Sequence, residues 1–233
     1  MKNINIPDTF MGKPIKGAMD EILKEQEKKA GQIPQKSQTQ INAPSLDGFI
    51  YVPSVDLYFQ KEKQFNNYDW HQAHEKLQKQ GLRMPTIEEF RQFLSYLKYN
   101  PSAENSAIYR SIAKIRSLSS SEWLDAYFEK QGNELYILTQ NKRKIEKLDD
   151  CLMKNKAPGI DIDEWLMDAT RQGFPKPDIK IGDLHHLSQL NNSVARFYAD
   201  SDCVGLYCNM GSVYFSPNLG VRGVFGVQGA KTK

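Results

Sequence analysis

Two cysteines close together near the C-terminus are the first candidates for chemistry. Cys203 and Cys208 are five residues apart, and the third cysteine, Cys151, lies far from them in the sequence. Three cysteines are too few, and odd in number, to form a disulfide framework. The spacing leaves three interpretations open: a redox-active pair, a disulfide that braces one loop, or two thiols that take no part in chemistry.

Histidines form the second candidate group. His71 and His74 are three residues apart on a predicted helix, and His185 and His186 are adjacent. The segment of residues 71–74, HQAH, lacks the glutamate of a zinc-protease helix, and adjacent residues of a strand point to opposite faces of a sheet. We therefore predict packing or surface roles for these side chains, and no metal site.

Ligands for calcium and signatures of catalysis are scarce. Calcium takes about six to eight oxygen ligands, and the C-terminal region offers only three candidates, Asp200, Asp202 and Asn209. The chain contains neither a glycine-rich phosphate loop nor a nucleophile elbow. These features predict a protein that is not an enzyme and that uses no cofactor.

The two C-terminal cysteines lie within a stretch of unusual composition, residues 191–227. It contains no Lys, Glu, Gln, Trp or His, and it is rich in Tyr, Ser, Asp, Gly, Asn and Phe. Tyrosine offers a large rigid face, and Ser, Gly and Asn offer adaptable polar contacts, as in antibody combining sites. We predict a binding surface there. Its contact residues are Tyr198, Asp202, Gly205, Tyr207, Asn209, Gly211, Ser212, Tyr214 and Ser216.

Particular residues of this stretch are assigned to anchoring and to support. Because aromatic side chains dominate binding hot spots, Tyr198, Tyr207 and Tyr214 are the predicted anchors. Arg196 and Arg222 are assigned to the scaffold, where they would orient loop carbonyls or carboxylates. Residues that favour strands lie toward both ends of the stretch, so we predict that both ends join a sheet. They are Val194, Phe197, Leu219, Val221, Val224 and Val227.

The whole chain has the composition of a globular protein. Its 233 residues are 39% hydrophobic and 25% charged, with a net charge of +3. This balance gives no indication of a nucleic-acid or membrane partner. No run approaches the roughly 18 apolar residues that span a bilayer, and the N-terminus lacks the apolar core of a secretory signal. We expect no membrane insertion. The localisation stays open between cytoplasm, virion and export by a route that the chain does not encode.

The N-terminal region is more polar than the rest. Residues 18–29 predict a short helix with few apolar side chains, and residues 31–44 have the Gln, Ser and Pro content of a linker. We therefore divide the chain into an arm, residues 1–45, and a domain, residues 46–233. The arm is either a flexible tether or an element that docks on a partner or on a second copy.

The first elements of the domain are two strands and two helices. Residues 49–60 favour one long strand or two short ones, broken at the proline. Asp69 with Gln72, and Thr86 with Glu89, have the spacing of capping boxes. A helix is therefore predicted to begin after each of these caps.

Residues 100–190 carry weaker signals. Residues 106–118 predict a short helix, and residues 122–139 predict a hairpin that turns at a Gly-Asn pair. The charged residues 141–156 predict a solvated helix or loop. Residues 159–187 predict a short helix between connections rich in proline and glycine.

Two sequence signatures together resemble one family. Residues 82–90, LRMPTIEEF, resemble the R-[LM]-P-T-x-x-E-[WF] segment of the C-type-lectin-like fold of formylglycine-generating enzymes and their relatives. Residues 193–196, SVAR, followed by residues 218–222, NLGVR, resemble the R-x-A-R and N-L-G-[FV]-R ending of the same group. The two signatures frame residues 48–228. Within that group the chain is most similar to the variable proteins of diversity-generating retroelements.

This resemblance implies a fold and a variable region. The implied fold is of the α+β class and C-type-lectin-like, a small mixed or antiparallel sheet with two flanking helices and an insert. The variable region would be residues 195–222, on an outward strand and the adjoining loops. The implied source is a phage or an archaeal virus.

The mechanism of that family predicts a composition for the variable region. An error-prone reverse transcriptase mutates adenines of a template, so that AAY codons become NNY codons, which never encode Lys, Glu, Gln or Trp. Residues 198–218 obey this exclusion, and Met210 is their single residue outside the NNY set.

The function that the resemblance implies is ligand binding by a display protein. Its diversified surface would recognise varied proteins or cell-surface macromolecules, and assembly through the arm would add multivalency. Two other functions stay open. One is an oxidase similar to formylglycine-generating enzymes, whose catalytic cysteines resemble Cys203 and Cys208 in spacing. The other is a lectin-like or tail-fibre domain of fixed specificity.

Overall fold

The computed structural model describes most of the chain after residue 45. The described residues are 9–10, 13–14, 46–114, 119–140, 144–149 and 156–226. The helix predicted at residues 18–29, the linker predicted at residues 31–44, and Cys151 lie outside the described residues.

The chain consists of two compact units, Met1–Asn42 and Ala43–Lys233. In the first unit, Thr9–Phe10 (β1) pairs antiparallel with Lys13–Pro14 (β2). Within the described residues, no helix has the length and apolar character needed to cross a membrane.

The described residues of the second unit contain both helices and strands. The helices are α1 (Trp70–Lys79), α2 (Ile87–Tyr99), α3 (Ala103–Ala113) and α4 (Ile162–Met167). The strands are β3 (Phe49–Val52), β4 (Leu57–Gln60), β5 (Ser120–Gln131), β6 (Glu134–Thr139), β7 (Lys144–Lys147), β8 (Lys156–Ile160), β9 (Leu184–Leu187), β10 (Ser193–Ala199), β11 (Val204–Gly211), β12 (Leu219–Gly220) and β13 (Val224–Gly226).

These strands form two sheets. The larger sheet has eight strands in the order β7-β6-β5-β10-β11-β9-β8, with β12 paired to β5. It is mixed, because β9 runs parallel to β11 and β12 runs parallel to β5, while β10 is antiparallel to both of its neighbours. The smaller sheet is antiparallel, in the order β13-β4-β3. The predicted α+β class is confirmed.

Two predictions about the sheet are wrong. The larger sheet has eight strands and is not small. The charged residues 141–156, predicted as a helix or loop, contain β7 and the start of β8. β7 forms because the β5–β6 hairpin offers it an edge, where Ile145 lies opposite Leu138. Its charged side chains remain at the surface of that edge, which is common for edge strands.

The helix starts follow the predicted capping boxes. Asp69 Oδ1 accepts from the Gln72 backbone N–H at 2.8 Å, and Gln72 Oε1 accepts from the Asp69 N–H at 3.3 Å. Thr86 and Glu89 make the same reciprocal bonds at the start of α2, at 3.3 and 2.9 Å. Glu89 also binds Arg83 in a bidentate ion pair at 2.7 and 2.9 Å. One carboxylate therefore fixes both the start of α2 and the segment before it.

A main core lies between one face of the larger sheet, called the inner face, and helix α2. Phe93 of α2 stacks on Phe59 of β4 with ring centroids 4.6 Å apart, and Phe90 contacts Phe197 of β10 at 5.4 Å. Leu206 and Cys208 of β11 are fully buried in the same core. This packing holds β10 and β11 rigidly from one side.

A second core covers part of the opposite, outer face of the sheet. Helix α1 places Trp70 and Leu77 against Trp123 of β5 and Val194 of β10. The Trp70 indole donates to the Leu124 carbonyl at 2.9 Å, so this helix is tied to the sheet by a buried polar contact as well. Further along β10 and β11 the outer-face side chains Tyr198 and Tyr207 are half-buried.

A buried ion pair joins the two sheets. The Arg222 guanidinium donates to both carboxylate oxygens of Glu122 in β5, at 3.0 and 2.8 Å, and to the Gln60 carbonyl of β4 at 2.5 Å. The Gly223 N–H donates to the Gln60 side chain at 2.7 Å. The scaffold role predicted for Arg222 is confirmed, since it orients one carboxylate and one carbonyl.

We expect the loss of one partner of this pair to destabilise the fold strongly. Removing one partner of a buried, hydrogen-bonded ion pair leaves an uncompensated charge and costs about 3–5 kcal/mol. Arg222→Met is therefore expected to lower the free energy of unfolding by that amount in a denaturant titration. The matched control is Lys176→Met, which removes an exposed pair with Asp168 (2.7 Å) and should cost no more than about 1 kcal/mol. Equal losses in the two variants would contradict the assignment.

Candidate functional site

The register of β10 and β11 places a set of polar and aromatic side chains on the outer face. Arg196 lies opposite Tyr207, and Tyr198 lies opposite Gly205. Because successive side chains of a strand alternate between faces, these residues share one side. Phe197, between Arg196 and Tyr198, turns inward and is fully buried.

Arg196 is the centre of this arrangement. Its guanidinium lies over the rings of Tyr198, Tyr207 and Tyr214, at 4.8, 5.5 and 5.5 Å from the ring centroids. Tyr198 and Tyr207 stack on each other, with centroids 5.4 Å apart. Burial lowers the pKa of the Arg196 guanidinium below its ordinary value, and the nearby tyrosines partly offset this effect. The three predicted anchors therefore converge on one cation.

The loop that follows β11 is pinned at both ends. The Trp70 N–H donates to the Ser212 carbonyl at 3.1 Å, and the Asn67 N–H donates to the Ser216 carbonyl at 3.1 Å. Lys63 Nζ donates to the Asn218 carbonyl at 2.5 Å. Between these fixed points, three large side chains project into solvent. They are Val213, Tyr214 and Phe215, which are 72%, 42% and 61% exposed. We call Arg196, Tyr198, Tyr207, Asn209 and residues 213–215 together the tyrosine face.

A tight turn between β10 and β11 closes one end of the tyrosine face. Asp200 Oδ1 accepts from the backbone N–H groups of Asp202 and Cys203, both at 2.9 Å. The Tyr198 hydroxyl donates to the other oxygen of Asp200. This hydrogen bond raises the pKa of Tyr198 to about 12 and holds the pKa of the Asp200 carboxyl below its usual value. Tyr198 is therefore neutral and fixed in orientation at physiological pH.

The two cysteines do not form a working pair. Both are buried and free, so the disulfide interpretation is wrong. Cys208 belongs to the main core, whereas Cys203 Sγ lies 3.2 Å from the Tyr207 hydroxyl. Burial raises the pKa of the Cys203 thiol, which keeps it protonated and poorly nucleophilic. The contact between the Cys203 thiol and the Tyr207 hydroxyl instead helps to hold the Tyr207 ring in its position on the tyrosine face.

The histidines also take separate positions. His71 is exposed, while His74 is 1% exposed and its Nε2 lies 3.4 Å from Asp125 Oδ1 in the interior. His186 of β9 is buried and His185 is half-buried, as expected for adjacent residues of one strand. Among the described residues, no three His, Cys, Asp or Glu side chains are grouped closely enough to hold a metal ion.

Two cavities lie away from the tyrosine face. One, of about 360 Å³, is lined by residues of the α2 start and by Lys144, Glu146 and Arg171. The Arg171 guanidinium pairs with Glu146 at 2.8 Å, so the charges of this cavity already compensate one another. The other, of about 420 Å³, lies beside Trp70 and Tyr127.

Eight of the nine predicted contact residues lie at least partly open to solvent, on the outer strand positions or the adjoining loops. These eight are Tyr198, Asp202, Tyr207, Asn209, Gly211, Ser212, Tyr214 and Ser216. Gly205 is different, because it is buried beneath the Tyr207 ring. Its predicted contact role is not supported by its position.

Sequence reasoning missed three members of the tyrosine face. Arg196 was assigned to the scaffold, but it makes no carbonyl or carboxylate bond among the described residues and lies over the three tyrosine rings instead. Val213 and Phe215 have strand-forming side chains, and only the pinning of the loop exposes them. The sequence did contain one signal for Arg196. Because apolar Phe197 lies between Arg196 and Tyr198, strand alternation would place Arg196 and Tyr198 on the same face.

Comparison with known proteins assigns no family to the chain. No protein-family model matches it, and no curated protein is significantly similar to it. The functional conclusion therefore rests on the geometry of the tyrosine face.

Gly205 and Gly211, both in β11, are expected to differ sharply in their tolerance of a side chain. A Cβ at Gly205 would lie 2.4 Å from Tyr207 Cε1, whereas a Cβ at Gly211 would have no atom within 4 Å. Gly205→Ala should therefore cost about 1–3 kcal/mol of unfolding free energy, the usual cost of overpacking. Gly211→Ala is the matched control and should stay within about 0.5 kcal/mol. Two equally stable variants in thermal unfolding would show that the Tyr207 ring is free to move aside.

Proposed function

We propose that the protein is a non-enzymatic binding protein that uses the tyrosine face to recognise a protein or another cell-surface macromolecule. The observation that carries this proposal is the convergence of Tyr198, Tyr207 and Tyr214 on one side of a hairpin whose other side is buried. Tyrosines that are rigid and partly exposed bury large area at a low cost in conformational entropy.

The pinned loop adds an apolar contact to this surface. Val213 and Phe215 are exposed on either side of Tyr214 in the chain, and their backbone is held by hydrogen bonds at residues 212 and 216. Neighbouring exposed apolar side chains on a soluble protein are typical of interaction sites. Because the loop is already ordered, binding through it would cost little ordering entropy.

We further propose that this face is diversified by a retroelement. Support comes from the composition of residues 198–218, which fits NNY codons except at Met210. It also comes from the separation of the exposed positions from the core positions of the same strands. Solvent-facing substitutions usually change stability by no more than about 0.5 kcal/mol, so a varied face is compatible with one constant core.

The C-type-lectin-like fold is the finer structural proposal. In its favour, α2 begins at the capping box inside the segment LRMPTIEEF, and the NLGVR segment contains β12 and the buried Arg222. The tyrosine face occupies an outward strand pair and an adjoining loop, the location that the resemblance implies. Oxidase chemistry receives no such support, because Cys203 and Cys208 have separate surroundings.

A pair of matched libraries tests the display role. The full chain is displayed on yeast with NNY codons at seven positions of the face or its rim: Tyr198, Asp202, Tyr207, Asn209, Ser212, Tyr214 and Ser216. The control library randomises seven buried positions of the same strands: Val194, Ala195, Phe197, Ala199, Val204, Leu206 and Cys208. Most members of the first library should stay protease-resistant and should yield binders to immobilised lysozyme. Most members of the control should unfold, because buried side chains are replaced. Equal unfolding, or a folded face library without binders, would argue against the proposal.

The gene tests diversification separately. Tyr, Asp and Asn codons always end in a pyrimidine, so the informative exposed contact positions are Gly211, Ser212 and Ser216. We expect all three codons to end in C or T, and a near-repeat of this coding region, differing at adenines, beside a reverse-transcriptase gene. Purine-ending codons at these positions would instead favour a binding domain of fixed specificity.

A further inference from the structure

Arg196 differs from the other arginines of the described residues. Six arginines are described, and four of them, Arg83, Arg91, Arg171 and Arg222, bind a carboxylate. Arg110 is exposed to solvent on α3. Arg196 alone among these six is half-buried and has no carboxylate partner within the described part of the chain.

Three of the paired arginines are bound by a glutamate in the same way. Arg83, Arg91 and Arg222 each meet a glutamate through two nearly parallel hydrogen bonds of 2.7 to 3.0 Å. Such bidentate pairs are the strong form of the arginine–carboxylate interaction. An arginine that is desolvated without this compensation costs free energy, so its retention at the centre of a binding face indicates a partner that arrives from outside.

The surroundings of Arg196 satisfy its N–H donors only in part. Its Nε is buried and has no hydrogen-bond partner among the described residues. The three tyrosine rings stabilise the charge through their faces, and the Tyr214 hydroxyl accepts one hydrogen bond from the guanidinium. Asn209, close by on β11, likewise has a buried side-chain oxygen without a partner in the described part of the chain. Two unsatisfied polar groups therefore lie within one patch of the outer face.

We propose that Arg196 is a constant anchor of the tyrosine face that receives a carboxylate from an acidic peptide segment of a protein partner. This inference rests on the proposed function, and it names the chemistry that all targets of the face would share. The implied variable region begins at residue 195, but the predicted contacts begin at Tyr198, so Arg196 lies on β10 before the first of them. The contact residues around it would vary while the guanidinium stays.

Charge and polarity around Arg196 favour a single carboxylate over a polyanion. Asp200 and Asp202 lie at the turn beside Tyr198, and their carboxylates would repel a chain of phosphates. On the other side, the exposed Val213 and Phe215 suit an apolar side chain next to the acid. A nucleic acid would instead require several cations along its backbone. An acidic residue adjacent to an apolar one is the fitting ligand.

The direct test uses the unmodified, full-length protein. Nitrogen-15 NMR follows the Arg196 Nε–Hε signal while N-acetyl-glutamate N-methylamide is added, with the glutamine analogue and inorganic phosphate as parallel probes. We expect a saturable shift with the glutamate probe in the millimolar range and none with the glutamine probe. Equal shifts with both amides, no shift with either, or a larger response to phosphate would overturn the proposal.

A peptide library separates this inference from the proposed function. Random peptides are selected for binding to the full chain, and those blocked by Tyr214→Ala are kept as ligands of the face. Most should contain Asp or Glu beside an apolar residue and should weaken at least about 10-fold with Arg196→Gln. Arg196→Lys, which keeps the charge but loses the planar fork, should weaken them as well, whereas the exposed Arg110→Gln should not.

Each outcome of the selection decides one of the two proposals. Face-dependent peptides without acidic residues, whose binding survives Arg196→Gln, would overturn the carboxylate anchor and leave the binding function intact. A selection with no Tyr214-dependent peptide would count against the proposed function, and the NMR titration would then decide the anchor alone. If Arg196→Gln does not fold, that same titration on the unmodified protein decides whether Arg196 binds a carboxylate.

Discussion

The alternation of side chains along residues 196–199 of β10 and 206–209 of β11 is the constraint on which the rest of the structure depends. Phe197 and Leu206 point into the main core, and Arg196, Tyr198 and Tyr207 point away from it. A shift of one residue in register would exchange the two sets and place the guanidinium in the core. Packing of the inner set against α2 opposes that shift. The same contacts that stabilise the fold therefore also determine which residues meet solvent.

The parts of the fold that follow from local chemistry were predictable from the sequence. Capping boxes depend on residues three apart, so the starts of α1 and α2 were predicted correctly, as was the hairpin that turns at Gly132. β7 was missed because its four residues gain their strand conformation from the neighbouring hairpin and not from their own preferences.

The candidate site shows the same division between local and tertiary information. The three tyrosines that were predicted as anchors do meet in space. The position of Arg196 among them depends on strand register, and the burial of Gly205 depends on the orientation of one ring. Both are tertiary features that a spacing rule does not contain. The sequence pattern indicated the tyrosines, and only the folded chain placed Arg196 among them.

The pairing of β13 with β4 limits which sequences the exposed loop before β13 can adopt. Residues 224–226 complete the sheet begun by residues 57–60, so the exposed loop lies between two parts of the chain that must both find their places. A loop that cannot span this gap would leave the edge of β4 unpaired and Glu122 without its arginine partner. Such a chain would be less stable and would be degraded more readily. Changes in the exposed loop are thus limited to those that still let β13 reach β4.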